Sequence, residues 1–358
     1  MKALRFTAAQ QMPELCDVDA PTPGPGEVLV KVGGAGACHS DLHLFEYPAL
    51  PWALPFTIGH ETAGWVADTG PGVTGWAEGD PVAVYSAWGC GKCRQCRVSA
   101  LNYCENNFTE KLRELMTGRL TDLSQIPPAG NGLGADGGMA EFMLVPTASS
   151  LLPLGSLDPV EAAPLTDAAL TPYHAVKRSL SLLVPGSSVV VIGVGGLGHM
   201  GVQILRALSA ARIVAVDVSE AKLTLAKEVG ADVAVLSDDD AVRQIYSATD
   251  GRGAEVVLDF VGAEQTIALG AQVVRTGGHL TVVGLAGGTY PFGAQGFPYA
   301  TNLSSVYWGT VAELAEVLAL ASSGKISAHV ERFPLSSALD AYERMKAGTL
   351  GGRAVIVP

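Results

Sequence analysis

The chain has 358 residues, 48% of them hydrophobic and only 16% charged, which is length for two domains or one large one and apolar content for a large buried core. Its net charge of −12 argues against a surface for nucleic acid or an anionic membrane, since either needs clustered Lys and Arg. The opening residues lack the apolar core of a signal peptide, and the apolar 189–218 stretch is broken by glycines, Arg206 and Arg212, so a cytoplasmic protein without a membrane span is expected.

The first 150 residues are rich in Gly and Pro and carry short β-type runs at Val28–Val32, Gly64–Ala67 and Pro81–Tyr85. Turn signals such as the Pro/Gly run at 21–26 separate them, and the pattern predicts an irregular β-barrel. Two segments within it hold metal-ligand chemistry: Cys38-His39-Ser40-Asp41-Leu-His43 and Gly59-His60-Glu61-Thr-Ala-Gly64. A thiolate, an imidazole and a carboxylate make a zinc set with one open position. Taken singly, Cys38 reads equally as a core thiol and His60 as a core histidine.

Cys90, Cys93, Cys96 and Cys104 follow as a compact knot. Four thiolates this close suit one closed tetrahedral zinc, which braces a lobe (residues 88–106) and does no chemistry. A disulfide framework belongs to small secreted domains and is disfavoured. Residues 105–138 form an excursion, in which 108–120 has the pattern of a short amphipathic helix with Leu112, Leu115 and Met116 on one face. A surface excursion and a subunit contact are open readings of it.

From residue 188 strands alternate with helices, which implies a parallel sheet. Residues 188–192 are a continuous apolar run, followed at once by Gly193-Val-Gly195-Gly196-Leu197-Gly198 opening a helix over 196–209. In that context the glycines make the tight turn, admit a pyrophosphate and pack helix on strand. Asp217 ends the next strand, 212–217, and a carboxylate there accepts both ribose hydroxyls and repels a 2′-phosphate, favouring NAD over NADP. Lys222 is the cation near it, on a helix over 220–229. Further strands are predicted at 256–259 and 279–283, a helix at 311–321 and a last strand at 353–357.

The sequence resembles the zinc-dependent medium-chain alcohol dehydrogenases along nearly its whole length. Gly59-His60-Glu61-x2-Gly64-x5-Gly70-x2-Val73 is similar to the family's catalytic-zinc signature, and the cysteine knot and glycine loop follow in the family's order. The 164–174 stretch and Tyr307-Trp308-Gly309 look like bacterial NAD-dependent secondary alcohol dehydrogenases and aryl carbonyl (phenylacetaldehyde-type) reductases. The resemblance implies a Rossmann doubly wound parallel sheet of α/β class plus a GroES-like catalytic domain. The catalytic domain would cover 1–165, the NAD-binding domain 166–302, and 303–358 would return to the first.

It further implies two zinc ions and NAD(H). Cys38, His60 and Asp167 would hold the catalytic zinc, Asp167 standing where most relatives have cysteine, and Glu61 would lie near the metal. Asp41 would orient His60. Ser40 would accept the substrate proton, and His43 would pass it to solvent. His39, Thr171 and Arg353 would touch the cofactor with the glycine loop, Val261 and Val283. Leu50, Trp52, Phe56 and Trp308 are candidates for an apolar pocket. The 105–138 excursion would lie beside the substrate entrance, where a lid is a further reading of it. The partner would be a small alcohol or ketone, and the assembly a homotetramer or homodimer. A primary-alcohol dehydrogenase or aldehyde reductase is the alternative reading. A zinc-free quinone-type reductase, a non-catalytic nucleotide binder and a zinc-finger module are more distant rivals.

Overall fold

The computed structural model describes every residue except 294 and 295. The chain divides into two compact units: Met1–Asp167, Trp308–Ser322 and Ala328–Pro358 in the first, Ala168–Tyr307 and Ser323–Ser327 in the second. The breaks fall after Asp167 and Tyr307, slightly beyond residues 165 and 302.

The first unit is built on a twisted, mostly antiparallel sheet. Leu151–Pro153, Pro81–Val84, Glu61–Thr69, Val28–Gly36, Arg353–Val357 and Val330–Pro334 lie side by side in that order, with Phe142–Val145 also paired to Val28–Gly36. Period-two alternation sets the buried face: Val28, Val30 and Val32 point inward with Val66, Val82, Val84, Met143 and Val145, while Lys31 is exposed. The 28–36 and 61–69 pair carries two register irregularities, between Leu29 and Val30 and between Val32 and Gly34. Such bulges re-aim the strand ends, here the ends that lead to Cys38 and His60. A second apolar cluster joins Leu4, Phe6, Phe45, Phe56, Ile58, Met139 and Tyr342, tying helix His39–Glu46 to helix Ala338–Lys346.

The second unit is a six-stranded, wholly parallel sheet. Its order is Val233–Leu236, Arg212–Asp217, Ser188–Ile192, Ala254–Asp259, Val274–Val282, Asn302–Ser305. All five residues of Ser188–Ile192 are buried, as a central parallel strand requires. Helices Leu170–Lys177, Gly198–Leu208 and Glu220–Glu228 pack in series, and Ala241–Ala248 packs on Glu264–Val273. The chain runs outward from Ser188–Ile192 and then returns to its other side, so the strand order reverses there. That reversal opens a crevice at the carboxyl ends of the strands, the place where this fold binds ligands.

Two elements depart from expectation. The excursion helix is shorter, Phe108–Met116, capped by Asn107, whose side chain accepts from Glu110 N. Met116 is 80% exposed, so it does not share a covered face with Leu112 and Leu115. Lys111 pairs with Glu114 and Arg113 with Glu110, both at i,i+3 spacing. The 279–283 strand begins earlier, at Val274.

Candidate active site

Cys38 leaves the 28–36 strand and starts helix His39–Glu46, with its own backbone N–H donating to Asp41 Oδ2 at 2.9 Å. His60 and Glu61 open the neighbouring strand, where Glu61 is paired in register with Gly36. A Cβ at Gly36 would lie 2.0 Å from Glu61 Oε2, so only glycine leaves room for that carboxylate. Asp167 follows the short helix Ala163–Thr166. These elements bring donor atoms of Cys38, His60, Glu61 and Asp167 within 4.8 Å of one another, all four residues buried.

His60 Nε2 is 3.5 Å from Asp167 Oδ2 and 3.4 Å from Ser40 Oγ, and Cys38 Sγ is 3.9 Å from Asp167 Oδ2. Zinc held at about 2.0–2.3 Å separates its tetrahedral donors by about 3.3–3.8 Å, so the set fits a metal. On the other side of the imidazole His60 Nδ1 lies 3.3 Å from Asp41 Oδ1, both atoms buried and without a hydrogen bond among the described residues, while Nε2 faces Asp167 and Ser40. Glu61 is also held by an arginine. Arg353 Nε donates to Glu61 Oε2 at 3.0 Å and Arg353 Nη2 to Oε1, in a buried pair. The Glu61 carboxylate is thus shared between the guanidinium and the donor cluster.

Burial pulls His60 down, but Asp41 and Asp167 outweigh it and hold the imidazole well above its ordinary range. Burial raises the Cys38 thiol, yet Arg353 and His60 bring it below the usual value. Burial drives Glu61 well up against the pull of Arg353. A buried thiol and three carboxyls face one guanidinium and one imidazole, an excess of acidic groups that a divalent ion neutralises.

The cysteine knot forms a second donor set. Cys93 caps the turn Arg94–Arg97 and accepts from Cys96 N at 3.5 Å, while Cys104 Sγ accepts from Cys90 N at 3.2 Å and Asn106 N at 3.3 Å. Cys93 and Cys104 sulfurs are 3.9 Å apart, near the edge of a four-sulfur zinc tetrahedron and far beyond an S–S bond. All six cysteines are free. N–H donors from Lys92 and Cys93 lower Cys90 to about 6, whereas burial raises Cys96 to about 12.

In the second unit Gly193 takes φ 84°, and a Cβ at Gly198 would lie 1.9 Å from Gly193 O. Nothing lies within 4 Å of the Cβ position at Gly195, which leaves open space above the loop for a phosphate. Asp217 accepts from Val194 N at 2.7 Å and from Ser219 N at 3.0 Å, fixing its carboxylate beside the loop. Val261 and Val283 follow their strands at this same carboxyl edge, and Lys222 and Thr171 lie on flanking helices. Gly196 and Leu197 lead into the helix that starts at Gly198.

The remaining sequence-derived residues separate. Trp308 lies edge-on to His60, with ring centroids 5.8 Å apart. Phe56 is in the core against Phe6, and Leu50 and Trp52 are half-buried at its margin. Trp52 lies against Phe108, ring centroids 4.9 Å apart and planes tilted by 50°, and donates from Nε1 to Pro127 O, so two points of the excursion meet on it. His39 is exposed and His43 half-buried, both on the helix after Cys38. Arg353, expected at a pyrophosphate, is buried against Glu61. One residue near the centre was not anticipated: Tyr342, whose hydroxyl donates to Asp41 Oδ2 at 2.9 Å.

Residues 24–156 match the alcohol dehydrogenase GroES-like domain, and 196–323 match the zinc-binding dehydrogenase domain. The chain is 34% identical to an NAD-dependent alcohol dehydrogenase of Sulfurisphaera tokodaii, with all of both chains covered. The alcohol dehydrogenase of Aeropyrum pernix superposes with a TM-score of 0.88 at 35% identity, again over all of both chains. An acetophenone reductase from Geotrichum candidum, solved with NAD, gives 0.81 at 30% identity, covering 100% of this chain and 97% of that one. The chain belongs to the zinc-type medium-chain alcohol dehydrogenase family. Among the described residues no helix is long and apolar enough to cross a membrane.

Proposed function

We propose that the protein interconverts secondary alcohols and ketones with NAD(H), with aryl-bearing or medium-sized substrates preferred. The observation that carries this reading is the buried set Cys38, His60 and Asp167, left with an open position because Arg353 holds Glu61. With zinc and NAD(H) bound, the site supplies Lewis-acid polarisation of the substrate oxygen and hydride exchange.

The chain's own residues do the rest. Cys38, His60 and Asp167 hold the metal, and an oxygen donor from Asp167 leaves it more electropositive than a third soft ligand would. Asp41 orients His60. Ser40, whose Oγ is 3.4 Å from His60 Nε2, takes the proton of the substrate hydroxyl, and His43 on the same helix passes it toward solvent. Trp308 gives an aromatic wall beside His60, suited to a bulky substituent. Asp217 selects NAD, and the space at Gly195 takes the pyrophosphate. Val261 and Val283 flank the nucleotide, with His39, Thr171 and Lys222 at its periphery. The cysteine knot holds a second, bracing zinc. The likeness to an acetophenone reductase supports the aryl-ketone preference. Cytoplasmic residence, supported by six free cysteines, and a homo-oligomeric state belong to the same reading.

The test is NADH oxidation with an aryl ketone beside the matching aldehyde. Faster turnover of the ketone is expected. Activity on the aldehyde alone would move the protein to the primary-alcohol class.

A further inference from the structure

Asp41 is fully buried, and each of its oxygens has a separate task. Oδ2 accepts from Cys38 N at 2.9 Å and from the Tyr342 hydroxyl at 2.9 Å. Oδ1 faces His60 Nδ1 at 3.3 Å. Two donors on one oxygen, arriving from the start of one helix and the middle of another, stop the carboxyl group from rotating. The other oxygen is then presented to the imidazole in one orientation only.

Tyr342 is itself immobilised. It is fully buried on helix Ala338–Lys346, its ring edge-on to Phe45 at 5.2 Å and its oxygen 3.3 Å from Met139 Sδ. Burial and the neighbouring Asp41 push its phenol well above the ordinary range, so it keeps its proton and donates. A buried tyrosine hydroxyl with a single carboxylate acceptor is more than the core needs for packing, which phenylalanine would satisfy.

We propose that Tyr342 is a positioning residue for the metal centre, acting through Asp41 to hold the His60 imidazole with Nε2 toward the ion. The inference rests on the reading of Cys38, His60 and Asp167 as metal ligands.

The experiment uses the full chain loaded with zinc, and in parallel with cobalt(II). Metal release to a chelator is followed together with the visible spectrum of the cobalt form, which separates a one-thiolate site from the four-thiolate knot. Tyr342→Phe keeps the ring, and is expected to weaken metal retention at the one-thiolate site by roughly tenfold, the lower end of what losing an outer partner of a metal-bound histidine costs. Asp41→Asn is expected to weaken it further. The double variant Y342F/D41N should match D41N alone, because the Tyr342 hydroxyl acts through its bond to Asp41 Oδ2. Phe45→Leu removes the ring contact but leaves the hydroxyl, and should leave retention unchanged.

Retention unchanged in Y342F, losses that multiply in the double variant, or an F45L loss as large as that of Y342F would each overturn the proposal. A wild-type protein whose only metal is in the four-thiolate knot would overturn the ligand assignment itself, and the proposal with it.

Discussion

Arg353 forks onto both carboxylate oxygens of Glu61, and neither side chain is more than 3% exposed. The two lie 292 residues apart in the chain. The pair bears on the proposed donor set beside it, because a carboxylate engaged twice by a guanidinium has little left to offer a metal. Arg353→Met should therefore be destabilising. It strands a buried carboxylate, at a cost of about 3–5 kcal/mol, visible as a lower urea midpoint. Adding Glu61→Gln should recover most of that loss, and a double variant no more stable than the single one would reject the pairing as the cause.

The two donor sets should empty independently. Cys104→Ala is expected to remove the metal of the knot and leave the other, and Asp167→Ala the reverse. Elemental analysis of zinc per chain, beside turnover, reads both. The knot variant should lose thermal stability before it loses chemistry, because a site with four cysteine ligands has no position for substrate.

Asp217 should set cofactor choice. Its carboxylate is fixed by Val194 N and Ser219 N, and ribose hydroxyls would add charge-assisted bonds. Asp217→Ser should reduce the preference for NAD over NADP by roughly 10–100-fold, the equivalent of a hydrogen bond to a charged group. Comparison of kcat/KM for the two cofactors measures it.

Asp232 gives the second unit a pH dependence on the acid side. Burial pushes its carboxyl up, but the Ile213 N–H at 2.8 Å and Arg206 at 2.6 Å outweigh burial, and the net direction is down. A carboxyl lowered by folding contributes stability above its unfolded value and loses it as pH falls through the folded one. The melting-temperature gap between wild type and Asp232→Asn should be full near neutrality and close below about pH 4, the unfolded value of an aspartate. A gap that persists in acid would reject the assignment.

The excursion should act through Trp52. Phe108 lies against that ring and Pro127 accepts from its indole N–H, so two points of the segment are fastened together. Deleting 108–126 should change the relative rates of large and small ketones while leaving zinc content intact. Unaltered substrate preference would reduce the segment to a surface feature.

What the sequence made legible is what is local in it. The knot spans fifteen positions and the glycine loop six, and each carries its chemistry in its own spacing. Asp167 is different: no local signal marks it, and it was reached through family likeness. Tyr342 was missed because a tyrosine in an amphipathic helix looks like any core residue, and its acceptor is 301 positions away. The cofactor role of Arg353 comes from the family likeness alone, and nothing in its sequence surroundings names Glu61. The strand Asn302–Ser305 was not anticipated as a strand, since Asn-Leu-Ser-Ser lacks an apolar run.

The strand Arg353–Val357 sits inside its sheet, between Val28–Gly36 and Val330–Pro334, with Ala37 N–H donating to Ala354 O just before Cys38. A ribosome makes residues 28–36 more than three hundred positions before it makes their neighbour. Until then Phe142–Val145 covers residues 28–31 on that edge of the sheet, and only the stretch around Ala35 and Gly36 waits for its partner. Arg353, which secures Glu61, arrives with the strand that closes that edge. The donor set next to it therefore depends on a strand that begins 292 positions beyond Glu61 in the chain.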